Sequence, residues 1–258
     1  MSRIKAISIS DRKGIRKKNI DSTHLIAGSG LQDDAHAGKW HRQVSFLAEE
    51  SIETMRAKGL DVVAGNFAEN ITTEGLDLTS LAVGVHLKIG ESELVISQLG
   101  KICHTRCAIY HQAGDCVMPR EGIFAVVVKG GSIQVGDGIE IQERFSEAAA
   151  IVSCEKTPDK AADEIKQLIN EKFKPAFIRF DATNDKEGGS LPAILDDLTK
   201  TQRIKHIIVF DPSGSLGLGL GLGLTLPDIT NQGNQTKRIE VEGSIISYCR
   251  TVEELKSI

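Results

Sequence analysis

Up to about Arg144 the chain is written in short apolar runs punctuated by glycine. "IKAISIS" (4–10), "NITT" (70–73), "VHLKIGESELVISQLG" (85–100), "GIFAVVVKG" (122–130) and "SIQVGDGIEIQ" (132–142) are rich in β-branched residues and bounded by turn formers, the signature of strands. Many short strands joined by glycine turns predict a barrel or a sandwich. "VGVHLKIGESELVISQLG" predicts a hairpin turning at Gly90 and Glu91, and "GGSIQVGDGIEI" a second glycine turn with a closing strand. One helical period interrupts them. In "SFLAEESIETMRAKG" (45–59) Phe46, Leu47, Ile52 and Met55 fall roughly on one face, and Gly59 stands where such a helix ends.

From Ala148 the period changes. "AAIVSC" reads as a buried strand, "TPDKAADEIKQLINEKF" as a helix with Thr157 at its N-cap and Pro158 at its first position, and "PAFIRFD" as the next strand. "LPAILDDLTK", "KHIIVFD", "RIEVEGSIISYC" and "TVEELKSI" continue the alternation of helix and strand. The expected fold class is therefore a β-rich, barrel-like domain over residues 1–145 followed by a small α/β domain with a mostly parallel sheet over 146–258. The junction "QERFSEAAA" is short, so the two parts are expected to pack closely.

The second part also contains "SGSLGLGLGLGLTLPD" (213–228), the one low-complexity segment. Bare backbone amides in a glycine-rich loop after the strand "IIVFD" could cradle an anion. The tract lacks the Lys-Ser/Thr of a phosphate loop and has leucine where a dinucleotide fingerprint starts its helix, so a flexible or expanded loop is the stronger reading. Asp181, Asp211 and Ser213 follow strand ends, where open α/β sheets bind ligands, although single residues there are more often caps or turn formers.

Composition narrows the class. The 258 residues are 40% hydrophobic and 26% charged, with a formal net charge of -4, which offers no basic footprint for nucleic acid. No apolar run reaches the roughly 20 residues of a membrane helix, and "MSRIKAISISDRKG" has no continuous apolar stretch of signal-peptide length. With five cysteines, an odd number, the expectation is a cytoplasmic protein with reduced thiols and no membrane contact.

Three of those cysteines crowd "GKICHTRCAIYHQAGDC" (100–116). Cys103 and Cys107 are flanked by His104 and Arg106, cationic or potentially cationic neighbours that favour the thiolate. A zinc site completed by His104, His111 and Cys116, a redox disulfide, and a ligand to a softer metal are the competing readings; zinc is disfavoured because no second cysteine pair exists. Two further stretches carry polar chemistry. In "GLQDDAHAGKWHRQVSFL" (30–47) Asp33, Asp34, His36, Lys39, His41 and Arg42 interleave with Ala35, Ala37 and Gly38, small residues suited to close approach of a ligand. "GNFAENITTEGLDL" (65–78) combines two asparagines and two glutamates ahead of a strand.

Together these blocks resemble a MOSC domain, the C-terminal region of molybdenum cofactor sulfurases, over about residues 1–143: "GLQDDAHAGKWHRQVSFLAEESI", "GNFAENITTEGLDLTSLAVGVHLKIGESELVISQLGKICHTRC" and "GGSIQVGDGIEI" occur in the family's order. The resemblance implies a barrel-like fold and binding of the molybdenum cofactor (molybdopterin), with metal ligation or sulfur carriage by a reactive cysteine, here Cys103 or Cys107. Asp34 through Gly38 match a "GDAHAG"-like block, Asp33 standing where glycine is usual, and Phe67, Glu69, Asn70 and Thr72 match a block that lines the ligand pocket. His36, Lys39, His41, Arg42, His104 and Arg106 are the donors expected around the cofactor. Within these 258 residues no pyridoxal-phosphate sulfurase, flavin or haem module is expected. The resemblance thus implies a cofactor carrier or sulfur-transfer protein that takes its sulfur from a cysteine desulfurase or serves a molybdoenzyme. The alternatives are a molybdenum-dependent reductase of small N-hydroxylated compounds, or a non-catalytic regulatory or scaffold protein. Cys154 is a weaker thiol candidate, and Cys249 reads as core.

Overall fold

The computed structural model describes residues 1–101, 108–153, 159–183, 190–212 and 237–256. Cys103, His104, Arg106, Cys107, Cys154, Thr157, Pro158, Ser213 and the Gly-Leu tract lie outside the described residues. The chain divides into two compact units, Met1–Ser146 and Glu147–Ile258.

The first unit contains β1 (Arg3–Ile9), β2 (Lys18–Ile20), β3 (Ser22–Ile26), β4 (Gly30–Leu31), β5 (Val44–Ala48), α1 (Glu49–Ala57), β6 (Ile71–Glu74), β7 (Val85–Ile89), β8 (Ser92–Leu99), α2 (Ala108–Ala113), α3 (Met118–Glu121), β9 (Ile123–Lys129), β10 (Gly131–Gln134) and β11 (Ile139–Phe145). Eight strands form one curled sheet in the order β11-β7-β8-β9-β5-β6-β1-β2, and β10-β3-β4 form a small second sheet. The curl brings β1 back to the start of β11: Arg3 bridges Gly138, and the Ile4 amide donates to the Asp137 carbonyl at 2.9 Å. The core inside the curl is the set that period-two alternation aims inward, including Ile7, Val44, Phe46, Ile71, Leu87, Ile96 and Ala125.

The β7–β8 hairpin turns at Gly90 and Glu91 as its sequence predicts. The helix expected over 45–59 is corrected at its start. Val44–Ala48 is a strand, parallel to β6 and antiparallel to β9, and the helix begins at Glu49. A short, mostly apolar run flanking a helix is ambiguous by periodicity, and here pairing on both edges decides for the strand. Phe46 consequently enters the inner core while Leu47 points outward, into a second cluster with Ile52 and Met55 of α1. The helix supplies the crossover that a parallel pair requires. Glu49 and Glu50 in its first turn and Arg56 in its last suit the helix dipole. The short helices α2 and α3 close the outer cluster through Ile109, Val117 and Met118. The glycine-punctuated pattern gave no sign of them.

The second unit contains β12 (Ala149–Ser153), α4 (Asp159–Phe173), β13 (Ile178–Ala182), α5 (Leu191–Asp196), β14 (His206–Phe210), β15 (Lys237–Val241), β16 (Ser244–Cys249) and α6 (Val252–Lys256). Its five strands run β13-β12-β14-β16-β15, all neighbours parallel except the β15–β16 edge pair, matching the mostly parallel α/β domain read from the sequence. Ile165 and Ile169 of α4 and Leu255 of α6 cover one face against Ala149, Ile151, Ile208 and Phe210. The alternate residues Ala150, Val152, Ile207 and Val209 are buried as well, so these strands are covered on both faces.

Cys249 is core, as expected, and burial pushes its thiol up to about 12. Asp211 follows β14, buried, and accepts a 2.7 Å hydrogen bond from the Tyr248 hydroxyl. Asp181 is paired by the Arg179 guanidinium at 2.8 Å.

Because Phe46 is a fully buried strand residue, Phe46→Ala is expected to cost about 3–5 kcal/mol in urea unfolding. Val135→Ala, at a position 44% exposed, is expected to stay within about 0.5 kcal/mol of the parent. Equal losses would contradict the assignment of Phe46 to the inner core.

Candidate functional site

The outward faces of β1, β5 and β6 carry polar side chains where a half-buried sheet would ordinarily show them to water. Ser8, Ser45 and Thr72 are instead buried, together with Ser10, Lys17, Asp34, Glu69 and Asn70 from the adjoining segments. Burial of so many polar groups is sustainable only if they satisfy one another. Asp34 is the hub. Its Oδ2 accepts hydrogen bonds from Lys17 Nζ at 2.8 Å and Asn70 Nδ2 at 2.9 Å, and its Oδ1 accepts the Ser10 amide at 3.0 Å and faces His36 Nδ1 at 3.5 Å. Asn70 uses its remaining capacity on β1 and β5: Nδ2 also donates to the Ser8 carbonyl at 3.2 Å, and Oδ1 accepts from Ser45 Oγ at 2.9 Å.

Glu69 belongs to the same buried layer. Its carboxylate accepts from the Gly65 and Phe67 amides at 2.5 and 3.0 Å and from Thr72 Oγ1 at 3.2 Å. Gly65 makes this possible. It sits at φ +90°, and a Cβ there would come within 2.9 Å of Ser8 Oγ and 3.2 Å of the Lys17 carbonyl. Asp33 adopts φ 62°, the left-handed conformation that glycine takes most readily and aspartate tolerates. The residue therefore serves the turn in glycine's place, delivering Asp34 inward. Ala68, also left-handed at φ 66°, is a genuinely strained position beside Glu69.

Burial sets the charge states in opposition. Withdrawal from water pulls the Lys17 ammonium below its ordinary value, against the raising influence of Asp34 and Glu69. For Asp34 burial acts upward, yet hydrogen bonds from His36, Lys17 and Asn70 outweigh it and hold the carboxyl well below the usual carboxylate range. Glu69 goes the other way: burial raises it despite the hydrogen bonds from Gly65, Thr72 and Phe67.

A more open group lies along the same loop. His41 Nε2 is 2.8 Å from Gln98 Oε1, and Gln98 Nε2 donates to the Gly100 carbonyl at 2.8 Å. Gly100 and Lys101, the last described residues before the cysteine segment, are tied to α3 and its C-terminal end by amide bonds to the Gly122 and Pro119 carbonyls at 2.8 and 3.0 Å. The Arg42 guanidinium lies over the Trp40 ring at 4.7 Å and near the Phe124 ring at 5.9 Å. Trp40 Nε1 donates to the His36 carbonyl at 3.1 Å.

Of the residues singled out from sequence, Asp34, His36 and Asn70 meet in one network, Glu69 and Thr72 bond to each other in the same buried layer, His41 reaches the stem of the cysteine segment through Gln98, and Arg42 lies over the Trp40 ring. Gly38 anchors the loop through an amide bond to the Ser29 carbonyl at 2.8 Å, and Lys39 is exposed. Phe67 packs into the outer apolar cluster with Leu47 and Phe124. Cys103, His104, Arg106 and Cys107 lie outside the described residues. Cys116 is buried in that apolar cluster and His111 is exposed. Among the described residues no group of three or more His, Cys, Asp or Glu could hold a metal ion, and no helix is long and apolar enough to cross a membrane.

Sequence reasoning missed Lys17, Ser8, Ser10 and Ser45. Lys17 stands in the basic run "RKGIRKK", which reads as a solvated face, and Ser8 and Ser10 alternate with isoleucines as a water-facing edge would. Only the distant partners Asp34 and Asn70 turn them inward.

Residues 33–140 match the family model described as the MOSC domain. No curated protein matches the chain. Among solved structures it is similar to the YUAD protein from Bacillus subtilis, at 20% identity over 55% of this chain and 96% of that one with a TM-score of 0.48. It is also similar to YiiM from Geobacillus stearothermophilus, at 20% identity over 55% and 76% with a TM-score of 0.44. YiiM from Escherichia coli is similar at 20% identity over 56% and 72%, with a TM-score of 0.42.

Asp34→Asn leaves Lys17 buried without its closest counter-charge and is expected to cost about 3–5 kcal/mol near neutral pH. Asp34 titrates lower in the folded than in the unfolded chain, so its contribution is complete above the ordinary aspartate value of 3.8 and is lost as pH falls below it. The gap between parent and variant should accordingly narrow in acid. Urea unfolding over a pH series measures both, and a gap that is small at neutral pH or independent of pH contradicts the assignment.

Proposed function

We propose that this chain, whose residues 33–140 match the MOSC domain, binds the molybdenum cofactor and acts in its carriage or in sulfur transfer to it, through Cys103 or Cys107. The observation that carries the reading is the 2.8 Å contact between His41 and Gln98, which joins the polar loop of residues 33–42 to the stem from which the cysteine segment departs. Asn70, bonded to Asp34, ties the third block of the family pattern to the same place. Three stretches far apart in sequence thereby converge.

The side chains fit an anionic, hydrogen-bonding heterocycle. His36 and His41 are half-buried imidazoles, Arg42 is a guanidinium lying over an aromatic ring, and exposed Lys39 adds an ammonium. Such donors suit a phosphate and the edge of a pterin. Buried Asp34 and Glu69 do not compete with the ligand's charge, because Lys17, Asn70 and the backbone amides already occupy their oxygens. When bound, the cofactor would supply a thiophilic metal. The chain would supply a thiolate, favoured by the His104 and Arg106 neighbours, that either ligates this metal or carries sulfur to it. Asp34 fixes the orientation of His36, and Gln98 that of His41.

The deciding experiment is molybdenum and pterin analysis of protein purified without oxygen from molybdate-supplied cells, beside Cys103→Ala and Cys107→Ala. Near-stoichiometric pterin and molybdenum in the parent, with molybdenum lost in one cysteine variant, is the expected result. Neither pterin nor molybdenum in any of the three proteins would refute bound cofactor.

A further inference from the structure

A second constellation lies in the first unit on the β7–β8 hairpin and shares no residue with the network around Asp34. His86 of β7 is 2% exposed. Its Nδ1 is 2.5 Å from Glu93 Oε1 on β8, and its Nε2 is 2.8 Å from Ser146 Oγ, just past the end of β11. Arg144 Nη1 contacts the same Glu93 oxygen at 2.9 Å, a second tie that fixes the carboxylate's orientation.

The backbone is shaped to make this arrangement. Pairing of β11 with β7 is regular from Ile139 to Gln142, which faces His86, and then slips, so that Phe145 faces Val85. Glu143 and Arg144 are thus extra residues on β11. Bulges of this kind re-aim side chains and are enriched beside active sites. Here the bulge carries Arg144 to Glu93 and returns Ser146 to the sheet, its amide donating to the Gly84 carbonyl at 2.9 Å. Gly84 adopts φ +96°, and a Cβ there would collide with the Ser146 carbonyl and lie 2.7 Å from the Phe145 ring. Only glycine permits the approach that brings the serine onto the imidazole.

We propose that Ser146 is a nucleophile activated by His86 as general base, with Glu93 as the positioning residue, and that it accepts the acyl group of small activated carboxylic esters. Nucleophile, base and orienting acid within hydrogen-bond reach, in the order Oγ, Nε2, Nδ1 and carboxylate, are the recognised requirement for this chemistry on any fold. Ser146 is half-buried, and the Phe145 ring beside it is 62% exposed, an apolar surface for the acyl chain. In the step, Ser146 Oγ bonds to the carbonyl carbon while its proton passes to His86 Nε2. The ester C–O bond then breaks, and the departing alcohol takes that proton. Water repeats the sequence to release the acid.

The test is covalent labelling of the full chain with a fluorophosphonate, in which Ser146 Oγ displaces fluoride from phosphorus and the serine proton leaves through His86 to solvent. Peptide mapping by mass spectrometry should find the adduct on Ser146, absent in Ser146→Ala. Labelling should slow at least tenfold in His86→Gln and in Glu93→Gln and be largely restored in Glu93→Asp. Glu93, being partly exposed, keeps the test valid should His86→Gln fail to fold. No adduct on Ser146 of protein with a cooperative melting transition would overturn the proposal. So would labelling unchanged in Glu93→Gln, which would leave the three residues as a tie between strands.

Discussion

A carboxylate withdrawn from water cannot stand alone, and Asp34 is wholly buried. Its position requires a cation, found in Lys17, and additional donors for its remaining lone pairs, found in Asn70 and the Ser10 amide. Each of these partners belongs to a different segment: the loop after β1, the start of β6 and the end of β1. Satisfying one charge thus fixes the relative placement of the loops that carry the polar chemistry. Buried ion pairs add little net stability compared with apolar packing, but they penalise misplacement severely. The network is well suited to holding geometry, and His36 inherits its orientation from it.

The electrostatic arrangement also leaves the open side of the site rich in donors. Glu69 and Asp34 are saturated from within, by amides and by Lys17, while His36, His41, Arg42 and Lys39 remain partly or fully exposed. A formal net charge of -4 for the chain therefore coexists with a loop on which His36, Lys39, His41 and Arg42 gather. Global charge excluded a broad basic surface without bearing on this local one.

Much of the fold was legible because each element announces itself locally. Alternation and glycine turns carried the β7–β8 hairpin, and the change of period after Ala148 carried the parallel sheet of the second unit. The failures have a common cause. Val44–Ala48 became a strand because β6 and β9 flank it, and Ser8, Ser10 and Lys17 were drawn inward by residues 17 to 62 positions away. Neither influence leaves a local trace. The polar site was half legible: Asp34, His36, Glu69 and Asn70 stood out as a resemblance to known blocks, whereas Lys17, the charge that makes Asp34 tolerable, was hidden in a run of ordinary surface cations. The Ser146–His86–Glu93 group was invisible, since a bulge and a glycine at φ +96° create it and no spacing encodes it.

The central claim is that one buried polar network orders the loops of the site. Hydrogen–deuterium exchange of the parent and Asn70→Ala tests it most directly. If the claim holds, exchange accelerates in the amides of residues 8–17, 32–45 and 65–70 while the β7–β8 hairpin keeps its protection. Unchanged exchange in those loops, or acceleration spread evenly over the whole unit, would contradict it.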